Sequence, residues 1–514
     1  MQLQELFRQA RITLPSSVRP EWVGRTVGGV TSDSRLATLN SLFVAIDGAA
    51  VSGATFMPQA VAKGADVVMS HHGPNAVTAI AGRDILHLAS TNPRRDLALL
   101  SAAFYGAQPA EIAAITGTNG KTSTADFLRQ IWMMRGLRSA SIGTLGLVSE
   151  GLDLRLPPLT TPDPVKLAET LHDLKTHRVD HVALEASSHG LDQFRLDGVR
   201  LTRAGFSNLT RDHLDYHQTL DAYRDAKLRL FREVLPTAGV AAINADMDSE
   251  TLATLKDIAT SRALALRTVG VAGEALWLVS ARPLPTGQRL KLCLFGEMLD
   301  DIAIPLIGRV QVDNILLAAA LAWDDEESAR QICQGLTQLQ GVRGRCEFVA
   351  ASHHGASIFV DYAHTPDALG HVLQSLRPHA RHRLTVIFGA GGNRDQGKRP
   401  LMGQIAARYA DQCIVTDDNP RDEDPAAIRR AVMQGCPDAT EIGDRHTAIA
   451  HAVLHAEPGD IVVVTGKGHE TGQIIKDAAH PFDDAAVIRE ILTAAQGGSV
   501  IKTANRVNAY DAPG

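Results

Sequence analysis

Short apolar runs, each closed by a polar or glycine-rich cluster and followed by apolar residues at helical spacing, recur along this 514-residue chain. Strand-length runs alternating with helix-period stretches predict an α/β fold with mostly parallel sheets. In residues 1–92, Gly28 to Val30, Leu42 to Ile46 and Asp66 to Met69 read as strands and Phe56 to Lys63 as a helix, a small α/β domain preceded by an amphipathic helix pattern over Met1 to Arg11. Residues 93–340 form a second domain. There Ile112 to Thr116 runs into Gly117-Thr118-Asn119-Gly120, and Thr124, Ala125, Phe127, Leu128, Ile131 and Trp132 then recur at helical spacing. A third domain, 341–495, repeats strand then helix, with strands near Ile358 to Tyr362, Leu384 to Phe388, Cys413 to Thr416 and Ile461 to Thr465, which predicts a Rossmann-like sheet. Residues 496–514 lose the apolar period and are expected to form a flexible tail.

Composition changes this picture little. Hydrophobic residues make up 45% and charged residues 21%, ordinary values for a soluble globular chain. A net charge of −6 leaves no electrostatic footprint for nucleic acid, so an anionic ligand must be held by local arginines and lysines. The five cysteines form no CxxC pair and are odd in number, which argues against a disulfide framework or a zinc site. No apolar run reaches the roughly 18 residues of a membrane span. A monomer in a reducing cytoplasm, with no membrane partner, is expected.

The candidate chemistry starts at Gly117 to Ser123. Backbone N–H groups around a Gly-rich turn can converge on phosphate oxygens, the following helix adds its positive end, and Lys121 supplies a mobile charge. Thr122 or Ser123 would offer a hydroxyl to magnesium. A general P-loop reads G-x-x-x-x-G-K-[ST], and Ile115 stands where its first glycine belongs, so this loop is a shortened variant. Glu185, delivered at the end of the strand Val179 to Leu184, is either a metal-facing carboxylate or a satisfied loop residue. Leu159-Thr160-Thr161-Pro162-Asp163 ends in a helix cap with proline inside the first turn. Asp212-His213-Leu214-Asp215-Tyr216-His217 concentrates charge and imidazole after another strand. Lys227, on a helix from Tyr223 to Phe231, has nothing in its spacing to separate it from a surface lysine, and Asn314 is a purine contact of low specificity. Ser32-Asp33-Ser34-Arg35 either grips a ligand or caps a loop.

In the third domain every strand ends in its own polar or glycine-rich motif: Ala363-His364-Thr365-Pro366-Asp367, Gly389 to Asp395, Asp417-Asp418-Asn419-Pro420-Arg421, and Gly466-Lys467-Gly468-His469-Glu470. Parallel strands bring all four to one sheet edge, where open α/β sheets bind ligands.

Taken in order, Thr116 to Ser123, Glu185-Ala186-Ser187-Ser188-His189-Gly190, Asp212 to Asp215, Asp361 to Pro366 and Gly466 to Glu470 resemble the motifs of the Mur ligase family over nearly the whole chain. The resemblance implies an N-terminal domain for a UDP-linked substrate, a central P-loop ATPase domain and a C-terminal domain for an amino acid. It further implies that ATP phosphorylates a carboxylate, here the D-glutamate of UDP-N-acetylmuramoyl-L-alanyl-D-glutamate, and that an amine attacks the acyl phosphate. A carboxylate oxygen is a poor leaving group, so amide formation needs this activation. Carried over residue by residue, Glu185, His213 and Thr122 match metal-binding positions, with Mg2+ as the ion, and Lys227 matches a lysine that is carbamylated and so becomes an anionic metal ligand. Lys121 is catalytic, Asn314 and Arg345 face ATP, and Ser34, Thr160, Thr161, Ser187, Gln193 and Arg195 contact the uracil nucleotide. Leu159 and the run Ala49 to Gly53 depart from the family pattern.

The amino acid can be argued from charge. Diaminopimelate differs from lysine by one distal carboxylate, and Arg421 offers a planar fork that pairs bidentately with it. Arg394 supplies the second cation for the other carboxylate, while Asp418, Asn419 and Glu470 hold the ammonium, and Pro420 and Gly466 are further substrate-binding positions in the same motifs. meso-Diaminopimelate is therefore the expected acceptor. A folylpolyglutamate synthetase of the same superfamily should lack the Arg394 and Arg421 pair, and a mere ATP sensor would not need Lys121, Glu185, His213 and Lys227 together.

Overall fold

The computed structural model describes residues 1–48, 51–152, 154, 156, 159–284 and 286–507, with side chains described to 495. Its contacts divide into two units: Met1–Trp277 with Asp313–Cys333, and Leu278–Val312 with Gln334–Gly514. The first unit holds the first predicted domain and most of the second, while 278–312 and 334–340 of the second fall in the other unit.

The first unit opens with a helix, Leu3–Ala10, whose apolar face is buried at Leu3, Leu6, Phe7 and Ala10. Five strands follow: β1 (Gly29–Thr31), β2 (Ser41–Val44), β3 (Ala65–Ser70), β4 (Ala76–Ile80) and β5 (Arg83–Ala89), in the spatial order β1-β2-β3-β5-β4. The neighbours β1 to β2, β2 to β3 and β3 to β5 pair in parallel, and β4 closes the edge antiparallel. The β4–β5 hairpin has no counterpart in the sequence reading. The helix predicted over 56–63 is a 3-10 turn, Gly53–Phe56, leading into Met57–Ala62.

The central sheet is built from β6 (Glu111–Thr116), β7 (Ser139–Gly143), β8 (Gly146–Ser149), β9 (His181–Glu185), β10 (Arg203–Phe206), β11 (Val240–Asn244) and β12 (Ala265–Gly270), in the order β12-β11-β10-β6-β9-β7-β8. Every pairing is parallel except β7 with β8. Because both faces of a parallel sheet are covered, β6 reads as a continuous apolar run, and Ile112 to Thr116 are all buried. The helix Pro164–Thr176 is capped by Asp163, whose carboxylate accepts from the N–H groups of Val165 and Lys166. Its first-turn proline is thus Pro164, and Pro162 lies outside the helix. At the sheet edge β13 (Leu276–Leu284) begins, pairing Val269 with Leu276 and Gly270 with Trp277.

The second unit contains the antiparallel pair β14 (Gly287–Leu294) and β15 (Glu297–Ile304), which the sequence reading did not resolve. Its main sheet comprises β16 (Glu347–Ala351), β17 (Ser357–Asp361), β18 (Leu384–Phe388), β19 (Gln412–Val415), β20 (Thr440–Glu441) and β21 (Ile461–Thr465), ordered β16-β17-β21-β18-β19-β20. All are parallel except β16, so the four predicted motifs emerge at one edge. A hairpin, β22 (Gly472–Ile475) with β23 (Ala478–Pro481), follows the last motif. The closing helix runs Asp484–Val507, past position 495 where the tail was expected to begin, and 508–514 lie outside the described residues. No helix among the described residues is long and apolar enough to cross a membrane.

Under the motif edge sits a fully buried ion pair. Arg445 donates from Nε and Nη2 to the two carboxylate oxygens of Asp484 at 2.8 and 2.7 Å, and both side chains are 0% exposed. Removing one partner of such a pair strands a buried charge. Arg445→Met should cost about 3–5 kcal/mol in urea unfolding of the full chain, and Arg445→Met with Asp484→Leu should recover most of it. A single-variant loss below about 1 kcal/mol would show the pair to be dispensable.

Candidate active site

The adjacent ends of β9, β6 and β10 set the first cluster. Phe206 is level with Thr116, and Ile115 with Glu185, so the turns after all three strands leave the sheet side by side. After β6, Gly117 and Gly120 have φ of +139° and +86°. Both are also too crowded for a side chain: an added Cβ would lie 2.0 Å from Ser207 Oγ at Gly117 and 2.2 Å from Asn314 Oδ1 at Gly120. The loop is bolted to the turn after β10. Asn119 N–H donates to Asn208 Oδ1 at 2.9 Å, Ser207 Oγ donates to Asn119 O at 2.6 Å, and Thr118 Oγ1 donates to Thr210 O at 3.1 Å. Thr122 and Ser123 lie buried in the first turn of the helix Lys121–Met134, whose N-terminal end faces the loop.

Two lysines meet on one carbonyl. Lys121 Nζ donates to Gly117 O at 2.9 Å and Thr118 O at 2.8 Å, while Lys227 Nζ donates to Gly117 O at 2.7 Å. Lys227 is only 1% exposed and lies over the Tyr223 ring, 4.3 Å from its centroid. Burial, and then the like charge of Lys121, pull its pKa well below the usual lysine value, with Asp212 opposing them. It lies on the helix Leu220–Arg229, which passes into a π turn at Leu230–Val234. Tyr223, one turn before Lys227, reaches Thr118 Oγ1 through its hydroxyl at 3.2 Å. Sequence reasoning missed Tyr223, although an i,i+4 pair shares one helix face.

Glu185 ends β9 at 2% exposure. Its carboxylate accepts from the Thr144 N–H at 2.8 Å and Thr144 Oγ1 at 3.3 Å, and a Cβ on Gly143 would meet it at 2.0 Å. Thr144 is a second residue the sequence reading did not single out. Thr144 Oγ1 is also 3.2 Å from Thr160 Oγ1. Thr161 Oγ1 donates to Glu185 O at 2.8 Å and accepts from the Ser187 N–H at 2.9 Å, and Arg195 donates to Thr161 O at 2.6 Å and Gln193 Oε1 at 2.8 Å. Gln193 Nε2 reaches Tyr216 Oη at 3.4 Å. His213, itself in the left-handed region at φ +52°, closes the group through ring contacts of 5.0 Å with His189 and 6.2 Å with Tyr223. One continuous cluster therefore gathers Gly117 to Ser123, Thr160, Thr161, Glu185, Ser187, Gln193, Arg195, His213, Lys227 and Asn314. Ser34 stands apart in the turn after β1, where its hydroxyl donates to Gln59 Oε1 at 2.7 Å. Of the divergent run 49–53, Ala49 and Ala50 lie outside the described residues.

The second unit gathers the rest. Arg421, with φ +51°, donates to Gly392 O at 2.9 Å and Asn419 O at 3.4 Å. A Cβ on Gly391 would lie 3.0 Å from the Arg421 guanidinium and 3.7 Å from Arg394 Cγ, so both arginines flank that glycine. Asp418, Asn419 and Pro420 are buried, and a Cβ on Gly466 would fall 2.4 Å from Asp418 Oδ2. Asn419 Nδ2 donates to Glu470 Oε2 at 3.0 Å. Arg345 lies 4.7 Å over the Tyr362 ring, beside the strand end where Asp361 accepts from the Cys346 and Ala363 N–H groups at 2.6 and 2.7 Å. Burial raises the Asp361 pKa above the ordinary carboxylate value.

Chains of known identity resemble this one along its length. The Mur ligase family catalytic domain matches residues 26–105, the Mur ligase middle domain 115–322, and the Mur ligase glutamate ligase domain 344–468. The UDP-N-acetylmuramoyl-L-alanyl-D-glutamate--2,6-diaminopimelate ligase of Caulobacter vibrioides is 46% identical over 93% of this chain and 97% of its own. That of Bradyrhizobium diazoefficiens is 47% identical, again over 93% and 97%. A solved structure of a ligase of the same name aligns with a TM-score of 0.70 at 32% identity, covering 96% of this chain and 99% of that one. With matches of this extent along both units, the chain belongs to the Mur ligase family.

Proposed function

We propose that this chain is the ATP-dependent ligase that joins meso-2,6-diaminopimelate to the D-glutamate of UDP-N-acetylmuramoyl-L-alanyl-D-glutamate in peptidoglycan biosynthesis. The observation that carries the reading is the meeting of Lys121 and Lys227 on Gly117 O, which sets a buried, neutral-leaning amine against a phosphate loop. A simple nucleotide-binding loop has no use for that second lysine.

The chemistry follows from the groups present. The D-glutamate carboxylate attacks the γ-phosphorus of ATP and ADP leaves. The diaminopimelate amine then attacks the acyl carbon, and the tetrahedral adduct collapses with loss of phosphate and a proton. Lys121 can swing from its two carbonyl acceptors to phosphate oxygens and offset the charge spread over them. Gly117 and Gly120 let the loop turn tightly onto the helix N-terminus, where an anion is favoured, while the Thr118 and Asn119 N–H groups are held by Asn208 and Asn314 packs on the same turn. Thr160, Thr161, Ser187, Gln193 and Arg195 offer a polar wall for the UDP-linked substrate, with Ser34 contributing from the turn after β1.

The donor set also fits Mg2+. Among the described residues no three His, Cys, Asp or Glu side chains form a metal cluster, whereas magnesium is ordinarily held by one or two carboxylates with waters and substrate phosphates. Glu185, His213 and the Thr122 hydroxyl would hold magnesium, and a carbamate on Lys227 would help hold a second ion; when bound, magnesium would neutralise phosphoryl charge. Addition of CO2 to the neutral Lys227 amine gives the carbamate and releases one proton, turning a cation into an anion.

In the second unit Arg421 suits the distal carboxylate of diaminopimelate, Arg394 its other carboxylate, and Asp418 and Glu470 its ammonium; the Asn419 oxygen already accepts from Lys467 Nζ and the Ile474 N–H, so Asn419 acts through its NH2 on Glu470. Arg345 is assigned to ATP. Both substrates are water-soluble and one chain carries both sets of groups, so a cytoplasmic monomer suffices.

Phosphate release from ATP, with magnesium and UDP-N-acetylmuramoyl-L-alanyl-D-glutamate, should require meso-diaminopimelate and yield the tripeptide; release with L-lysine alone would overturn the acceptor. Lys227→Ala should keep its fold by circular dichroism, lower turnover by about a thousandfold or more, and lose the carbamate signal that 13C-bicarbonate gives the parent in NMR. Near-normal turnover would remove the carbamate. Arg421→Ala should raise KM for diaminopimelate about a hundredfold, the worth of a charge-assisted bidentate pair, with KM for ATP unchanged. An unaltered diaminopimelate KM would take Arg421 out of the acceptor site.

A further inference from the structure

Lys467, in the Gly466 to Glu470 motif, is 0% exposed. A buried ammonium has a high desolvation cost and persists only where its three donors are matched. Here Lys467 Nζ donates to Asn419 Oδ1 at 2.7 Å and Gly472 O at 2.9 Å, with Glu470 Oε2 at 3.9 Å. The same Asn419 oxygen accepts from the Ile474 N–H at 2.9 Å. An ammonium and a peptide N–H are donors only, so the amide atom facing both must be oxygen. The amide has one orientation left. Its NH2 is turned outward, where it donates to Glu470 Oε2 at 3.0 Å. The Glu470 N–H in turn donates to Lys467 O at 3.0 Å, which ties the carboxylate's own backbone to the lysine.

We infer that Lys467 is a positioning residue for the amino-acid site: by fixing the Asn419 amide it turns the Asn419 NH2 onto Glu470 and so aims the Glu470 carboxylate that receives the incoming ammonium. This rests on the reading that the amino acid binds in the second unit. Lys467 makes no contact with substrate. It acts at the junction of the Asp417 to Arg421 motif, the Gly466 to Glu470 motif and β22, three segments that must keep a common geometry for one ligand. Without it, Asn419 could flip its amide and present oxygen to Glu470, where two acceptors would repel.

The test compares Lys467→Met, which keeps the length and loses every donor, with Lys467→Gln, which keeps a donor. Lys467→Met should raise KM for meso-diaminopimelate about 10- to 100-fold, the range for a lost hydrogen bond to a charged group, while KM for ATP and for the UDP-linked dipeptide stays within about twofold of the parent. Lys467→Gln should recover a large part of the diaminopimelate KM. Calorimetric binding of meso-diaminopimelate to the parent full-length chain separates the two readings. If the parent does not bind it, the proposed function is wrong; if the parent binds and Lys467→Met retains its KM, the positioning role is wrong. Equal losses in all three KM values, or no rescue by glutamine, would mean that Lys467 serves only the fold. Should Lys467→Met fail to fold, Lys467→Gln with unchanged kinetics supports a donor role, and Lys467→Gln with all three KM values raised overturns it.

Discussion

The parallel register of β9, β6 and β10 is the constraint on which the first unit depends. Parallel pairing sets Phe206 level with Thr116, and Glu185 level with Ile115 one residue back, so the turns that follow must share a small space. Bare backbone is the way they fit: Gly117 leaves room for Ser207, Gly120 for Asn314, and Gly143 for Glu185. A side chain at any of these would collide with a polar partner. The phosphate loop is therefore shaped from outside by its neighbours as much as by its own residues.

Crowding of this kind also controls protonation. Lys227 enters the space behind the loop from a helix that is otherwise packed on the sheet, with Leu228, Leu230 and Phe231 in the core. Its ammonium loses water, meets Lys121 across a shared carbonyl, and gains only the more distant help of Asp212. Burial and Lys121 both lower its proton affinity, and Asp212 opposes them as the smallest of the three. The chemistry proposed for Lys227 thus follows from packing, and an exposed lysine on the same helix would not acquire it.

The second unit solves a different problem with the same architecture. Its motif edge collects Asp418, Glu470, Lys467, Arg421, Arg394 and Lys398, charges of both signs in a partly dry setting. Arg445 and Asp484 beneath it anchor the strand ends, since Arg445 also donates to Thr465 O at 2.9 Å and to Asp417 O at 3.5 Å. Arg399 grips Glu423 at 2.9 and 2.8 Å, and Glu423 accepts from the Asn393 N–H, which binds the loop of Arg394 to the loop of Arg421. A zwitterionic amino acid with an additional carboxylate needs such a frame, because each charge must meet an opposite one at a fixed distance.

The strands of the parallel sheets were legible in the sequence because a strand buried on both faces is a continuous apolar run, and its motif is written directly after it. That is how β6, β9, β17, β18, β19 and β21, and the loops they carry, could be read. The β4–β5 hairpin and the β14–β15 pair escaped because half-exposed strands carry mixed residues, as in Arg83–Ala89 and Glu297–Ile304. Among site residues, Lys121 announced itself through its glycines. Lys227, Thr144, Tyr223 and Lys467 did not, since nothing local marks a lysine as buried or a threonine as facing Glu185. The sequence by itself determined which strands form and which motifs end them; only the tertiary structure decided which motifs meet, and so which ordinary side chains lose water and acquire a changed proton affinity or a fixed orientation, because desolvation and partner geometry belong to contacts between distant segments.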